Sequence, residues 1–490
     1  MVQGREYDPR IWTNTDAQLP VKDMARMKPN TSAGLEKNME HNLTSGSVVK
    51  NIAKFSLPYL LSYFLQTLYG MADLFIIGQF DGVAGTTAVA VGSQIMHMLT
   101  VMLVGLAMGS TVCIARAVGA GNGRQAARDV GNTVTLFMGV AVALTVVLLL
   151  LIDPIVAVMS TPGEAVAGTR MYLMICFIGI PCITAYNIIS SIFRGLGDSK
   201  SPMYFIAVAC AANIALDYLF MGALNMGPAG AALGTTLAQA ISVAIALIAI
   251  RRKKAGLSLT RADFKPDRAV MGKLMRIGVP VALQDGFIQI AFLFITVIAN
   301  QRGLTDSAAV GIVEKIISFV FLVPSSMLST VSALCAQNIG AGKHDRASAT
   351  LRYAMAITLT FGVVVGITVQ FAAEGMVGLF TPDADVMRMG GQYLRGYIWD
   401  CALAGIHFCF SGYFCAYGRS EISFLHNVIA ILTARVPGAY FMSKLFPDTL
   451  FPMGMATAVG SLISCVVCVI AFGVLKKRGA FEADMVKANG

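Results

Sequence analysis

A chain of 490 residues could hold several soluble domains, but 56% of its residues are hydrophobic, only 13% are charged and the mean hydropathy is +0.69. That leaves too little polar surface to wet a globular protein and makes a lipid bilayer the natural solvent. The formal net charge of +10 raises nucleic acid as a partner, a reading that the distribution of the charge makes unnecessary.

Residues 1–47 are polar and lack the apolar core of a signal peptide, which predicts an unstructured cytoplasmic extension. Hydropathy then gives twelve stretches of roughly 20 apolar residues, the length a helix needs to cross a bilayer. They lie near 52–78, 88–112, 130–152, 170–191, 203–222, 229–250, 276–299, 308–332, 351–373, 392–413, 423–443 and 453–475. The expected organisation is a first lobe over 48–250, a charged cytoplasmic linker over 251–275, a second lobe over 276–475 and a tail over 476–490. The fold class expected is an all-α integral membrane protein. The ten cysteines lie almost wholly inside apolar stretches and read as small buried hydrophobes; Cys465 and Cys468 have CxxC spacing but no second ligand pair.

Lys and Arg set the orientation. Of the 37, 30 fall in the termini and the even-numbered links, five in the opposite links, and Lys315 and Arg435 within spans. The positive-inside rule therefore puts both termini in the cytoplasm and the chain in the cell inner membrane. It also accounts for the basic balance without nucleic acid.

The two halves repeat. Pro58 answers Pro280, Gly92 answers Gly311, and the Met108-x-Ser110-Thr111-Val112 run answers Met327-x-Ser329-Thr330-Val331. Gly119-Ala120-Gly121 answers Gly340-Ala341-Gly342, Thr161-Pro162 answers Thr381-Pro382, Tyr172-Leu173 answers Tyr393-Leu394 and Gly197 answers Gly418. With six helices per copy both halves insert the same way up, so their axis runs along the membrane normal with a cleft between them, an arrangement suited to alternating access.

Ionisable groups at bilayer depth are costly and mark function. Asp73 lies about 28 Å along span 1 from Lys54, and Asp217 about 26 Å along span 5 from Lys200, so the two share a level in the outer half. Asn213 stands one turn before Asp217 on the same face, and Thr235 enters span 6 at that depth. Such a set can share a proton or hold a sodium ion among oxygen ligands, or it can be a hydrogen-bond knot between helices. Gln66 and Tyr69, on the face of Asp73, and Asn187 on span 4 are candidates to line a substrate path. The second half has no matching pair: Asp285, Glu314, Lys315 and Asp400 are scattered in depth, and Arg435 is the one charge near the position equivalent to Asp217. His97, His407 and His426 lack metal-ligand spacing and read as interhelical hydrogen-bond partners. Gly105-x-x-x-Gly109 is a helix-contact face. No HExxH, nucleophile elbow or GxxxxGK[ST] is present, so an enzyme is not expected and energy has to come from an ion gradient.

In combination, Leu65-Gln66-Thr67-Leu68-Tyr69-Gly70-Met71-Ala72-Asp73, Val118-Gly119-Ala120-Gly121-Asn122, Phe193-Arg194-Gly195-Leu196-Gly197-Asp198, Asn213-x-x-Leu216-Asp217 and Gly230-Ala231-Ala232-Leu233-Gly234-Thr235 resemble the MATE (multidrug and toxic compound extrusion) family over roughly residues 40 to 478. The resemblance implies a V-shaped pair of six-helix bundles that exports organic, mainly cationic and amphipathic compounds in exchange for H+ or Na+, as a monomer in membrane lipid and without a cofactor. Its DinF-like branch implies a cation-coupling site at Asp73, Asn213, Asp217 and Thr235, where Na+ is the possible metal, and a helix-bending role for Pro58. The acids of the other main bacterial branch align near Ile288 and Ala404, which puts coupling through the second lobe in doubt. The alternatives are a lipid-linked saccharide flippase, disfavoured by the scarcity of Arg and Lys within spans, and a membrane sensor without transport.

Overall fold

The computed structural model describes residues 43–253 and 259–479, the side chains of 251–253 excepted. Among the described residues the fold is all-helical. The first half runs α1 (Val48–Phe80), α2 (Val83–Gly119), α3 (Gly123–Leu150), the short α4 (Ile152–Val158), α5 (Gly163–Ile178), α6 (Ile180–Gly195), α7 (Lys200–Asp217) and α8 (Gly227–Lys253). The second runs α9 (Arg268–Asn300), α10 (Leu304–Val320), α11 (Leu322–Gly340), α12 (His344–Gly378), α13 (Ala384–Tyr397), α14 (Trp399–Ala416), α15 (Ser420–Ala430), α16 (Val436–Leu445) and α17 (Phe451–Lys477).

Eleven of these helices or near-continuous helix pairs are long and apolar enough to span, and α5 with α6, bent by 49° at Gly179, makes the twelfth. All twelve expected stretches find a span, although the helices overrun the bilayer. At 37 residues α2 is about 55 Å long, against a hydrocarbon core of about 30 Å. The chain turns between α2 and α3 at Gly121, with φ +68°, and its counterpart Gly342 turns the second half in the same way at φ +71°; the side chain of Asn122 caps α3 by accepting from the Gln125 amide at 2.9 Å.

The halves meet along small residues. A β-carbon on Gly109 would overlap the Leu274 carbonyl, and one on Gly278 the Leu106 carbonyl, so α2 and α9 touch backbone to backbone at the Gly105-x-x-x-Gly109 face. Nearer the basic end the contact is reciprocal. Gly119 lies on the Gln337 carbonyl and its counterpart Gly340 on the Arg116 carbonyl. Hydrogen bonds stitch the same end: Arg116 Nε donates to Ala416 O at 2.8 Å and Gln337 Nε2 to Gly195 O at 3.2 Å.

Two organisational expectations need correction. Residues 43–47, expected in the unstructured extension, are docked: Leu43 is buried, Lys343 Nζ donates to Thr44 O at 2.9 Å, and Arg346 donates to the Ser45 and Gly46 carbonyls at 2.7 and 2.8 Å. Their exposed carbonyls are the acceptors these cations need. Residues 1–42 lie outside the described residues, as do 480–490 of the tail. The linker is also shorter than 251–275, since α9 already starts at Arg268, capped by Asp267. Its described part packs on α3, where Asn132 and Thr135 donate to the Asp263 and Phe264 carbonyls at 3.2 and 2.8 Å.

Candidate functional site

Asp73 sits in the last third of α1, a helix that runs through Pro58 without a break. Asn213 and Asp217 end α7, after which the chain widens into a π-helical turn over Tyr218–Ala223. Such turns are rare and cluster at functional sites. Gly230 to Thr235 open α8 against them. Gly234 has no side chain because the Asp217 carboxylate occupies that space.

The four residues converge. Thr235 Oγ1 donates to Asp73 Oδ2 at 3.0 Å. The Asp73 and Asp217 carboxyls face one another with Asn213 beside them. Asp73, Asn213 and Asp217 are 3%, 1% and 0% exposed. Yet Asp73 Oδ1, both Asp217 oxygens and both polar atoms of the Asn213 amide lack a hydrogen bond of acceptable geometry. A buried polar atom left unpaired costs roughly 1–3 kcal/mol, and an ionised one more. Among the described residues no Lys or Arg pairs with either carboxylate. The donor set is oxygen-rich and hard, which fits a proton or a small alkali cation; no group of three or more His, Cys, Asp or Glu that could hold a metal occurs among the described residues.

A cavity of about 100 Å³ adjoins this knot. Gln66, Tyr69, Asp73, Asn187 and Thr235 line it, while Asn213 and Asp217 stand behind its wall. Sequence reasoning missed Ser93, His97, Tyr172, Tyr186 and Gln239 in the lining. Gln239 is one helical turn beyond Thr235 and was findable by that spacing. Tyr172 enters because Gly92 on α2 leaves room for its ring, a packing fact with no local signature.

The second half is built differently. Its scattered charges include one true pair: Arg435 reaches Asp400 at 3.3 Å and Ser461 Oγ at 2.6 Å, all three buried. Arg435 closes a second π-helical turn, Ile431–Arg435, and a β-carbon on Gly460 would overlap its side chain. His407 shares Ser461 at 3.2 Å, and His426 bonds Ser411 at 2.9 Å, the interhelical role expected of both. Glu314 accepts from Thr296 at 3.4 Å, and Asp285 lies against Gly105 at the seam.

Twelve spans arranged as a repeated half, with a polar knot and cavity buried in the first, define a membrane transporter. A family model described as MatE matches residues 58–219 and again 280–441, two stretches of equal length that begin at Pro58 and Pro280. The chain belongs to the MatE family, whose members are transporters and not enzymes. It is 27% identical over 421 residues to the probable multidrug resistance protein YpnP of Bacillus subtilis, covering 86% of this chain and 93% of that protein. It is 25% identical over 403 residues to the multidrug export protein MepA of Staphylococcus aureus, covering 81% and 88%. A multidrug resistance MATE family transporter solved in its outward-facing conformation has the same fold, with a TM-score of 0.82 at 22% identity over 93% of this chain and 98% of that one. The architecture is thus the V-shaped pair of six-helix bundles.

Proposed function

We propose that this chain is a secondary multidrug exporter of the inner membrane, coupled to an inward flow of H+ or Na+ through the first lobe, as in the DinF-like branch. The observation that carries the reading is the pair of buried carboxylates, Asp73 and Asp217, facing one another with no cation paired to them among the described residues while Asp73 also lines the cavity. Two acids meeting in one buried spot, with only the Thr235 hydroxyl and the Asn213 amide beside them, cannot both be ionised without a bound cation, which is what a coupling site requires. Family membership and relatives named for multidrug export support organic compounds as the cargo.

With both termini cytoplasmic, the reciprocal glycine seam closes the cytoplasmic end and the cleft faces outward. An external ion taken between Asp73 and Asp217, with Asn213 and Thr235 completing its oxygen shell, neutralises the knot and redraws the cavity wall through Asp73. Cargo held near Gln66, Tyr69 and Asn187 then leaves outward. The halves rock about the seam, the ion departs inward, and new cargo enters from the cytoplasm. One proton moving through about 100 mV and one pH unit supplies about 3.7 kcal/mol, enough for a several-hundred-fold gradient of a substrate that moves no net charge.

The test is dye efflux from proteoliposomes of fixed orientation, driven by an imposed pH gradient or an imposed sodium gradient, for wild type and Asp73→Asn. Flux under one gradient that the substitution abolishes supports the reading and names the ion. Flux that survives Asp73→Asn under the same gradient removes the first lobe from coupling.

A further inference from the structure

Below the cavity, where the seam closes, lies a cation the ion-coupling scheme does not use. Arg194 ends α6, and hydropathy places it in the link after span 4, but its side chain turns inward and is only 9% exposed. Its guanidinium carbon stands 3.8 Å above the Tyr59 ring. Tyr63 and Tyr186 are near enough to feel its charge. Among the described residues it makes no ion pair. It borders a small cavity of about 10 Å³ with Tyr59, Thr111, Asn187 and Ser191, and through Asn187 this space adjoins the larger cavity above.

A ring face and the carboxyl end of α6 offset part of the charge. Neither uses the planar fork of donors that makes a guanidinium selective for carboxylate and phosphate. The Thr111 and Ser191 hydroxyls beside it already donate to the Ser191 and Ile188 carbonyls at 3.2 and 2.8 Å, and the Asn187 amide gives one of its two N–H groups to Ile183 O at 2.9 Å, so the guanidinium and the second Asn187 N–H are the donors left for a ligand. In the present arrangement the space holds about one water. Its lining belongs wholly to the first half, but one wall is α2, whose Gly109 packs on Leu274 and whose Gly119 packs on Gln337 of the second half, and Tyr63, one turn from Tyr59, bonds across to Ser329 at 3.4 Å. Parting the halves at the basic end would uncover that wall from the cytoplasmic side.

We propose that Arg194, held over Tyr59 and flanked by Asn187, forms a binding site for a single oxyanion group on an amphipathic ligand, loaded from the cytoplasmic side. It extends the export reading to cargo that carries a carboxylate or phosphate as well as a cation.

Two dyes isolate the charge: rhodamine 110, with a free carboxylate, and rhodamine 123, its methyl ester. Binding of each to purified full-length protein is measured by equilibrium dialysis for wild type, Arg194→Gln and Arg194→Lys. The expected result is a loss of about tenfold or more in affinity for the acid with Arg194→Gln and unchanged affinity for the ester, with Arg194→Lys between, since a charged hydrogen bond of that worth has gone. Equal loss for both dyes, or none for either, overturns the site. Should Arg194→Gln not fold, Arg194→Lys decides by the same comparison, and retained ester binding certifies its fold. Repeating the assay in nanodiscs of neutral lipid and of lipid with added phosphatidylglycerol identifies the source. An acid preference that persists in both assigns the site to dissolved cargo, and one that the anionic lipid suppresses assigns it to a headgroup phosphate. Ester efflux from proteoliposomes tests the export reading separately, because the ester does not need Arg194.

Discussion

Gly234 and Asp217 share one volume: the carboxylate of α7 occupies the space that a side chain on α8 would fill. The glycine is what leaves the acid room to stand where it does, facing Asp73. Gly234→Ala forces it to move without altering any group that binds an ion. Ion-driven efflux should fall at least tenfold in Gly234→Ala while the protein stays folded. The check is initial efflux rate against melting temperature for this variant and for Gly272→Ala, where a β-carbon meets nothing within 4 Å and both should stay near wild type.

Arg435 gives the buried acid of the second lobe, Asp400, the paired cation that Asp73 and Asp217 lack among the described residues. Removing one partner of a buried pair costs about 3–5 kcal/mol, because the other charge is stranded. Arg435→Met should therefore lower the melting temperature strongly, and the double variant Asp400→Leu/Arg435→Met should recover most of the loss. Dependence of efflux on the imposed ion gradient should be unchanged in the double variant, since this pair is already neutral. An abolished gradient dependence would place coupling in the second lobe.

The backbone contacts at Gly109 and Gly278 leave no room for a side chain. Gly278→Val should wedge α2 from α9 and favour the arrangement open at the basic end. The measurement is cysteine accessibility to a membrane-impermeant maleimide at Thr111→Cys in a background freed of other reactive thiols. A severalfold faster reaction from the cytoplasmic side is expected in Gly278→Val.

In the linker, Asp263 accepts from both the hydroxyl and the amide of Thr260 at 2.7 and 2.8 Å, and these bonds hold its carboxyl below the ordinary carboxylate range. Asp267, accepting from the Val270 and Ala269 amides, is held low in the same way. A carboxyl depressed in the folded state adds stability above its unfolded pKa of about 4, and that stability is lost as pH falls through the lower folded value. Amide exchange over residues 259–267 should be flat between pH 7 and 5, after correction for intrinsic rates, and should accelerate below about pH 4. Asp263→Asn should raise it above about pH 4, with the difference from wild type shrinking as pH falls further and Asp263 itself becomes protonated.

Span number and the repeat are legible in the sequence because hydrocarbon tolerates so few compositions, and each half restates the other. The ion knot is legible for a similar reason: Asp73, Asn213, Asp217 and Thr235 are expensive where they stand, and helical rise alone puts them at one depth. The Asp400–Arg435 pair is not, since depth along two separate spans says nothing of which faces meet. Arg194 is hidden more deeply. Hydropathy assigns a charged residue at the end of a span to the link beyond it, and only the packing of α6 against Tyr59 shows the side chain turning back. The docked segment at 43–47 has no apolar run to reveal it beyond Leu43; it is held through carbonyls, which every residue has.

The glycine contacts at the basic end have the form of an interface between identical subunits. Gly119 rests on Gln337 and Gly340 on Arg116, and each of these residues is the counterpart of the other across the repeat. A patch that is its own partner is what a two-fold dimer presents. Here the two copies are covalently joined yet bound by the same rule: a change on one side of the axis alters a surface that its twin must still match. Drift between the halves is accordingly free at the cavity, where one has acids and the other a salt bridge, and tightly held where they touch.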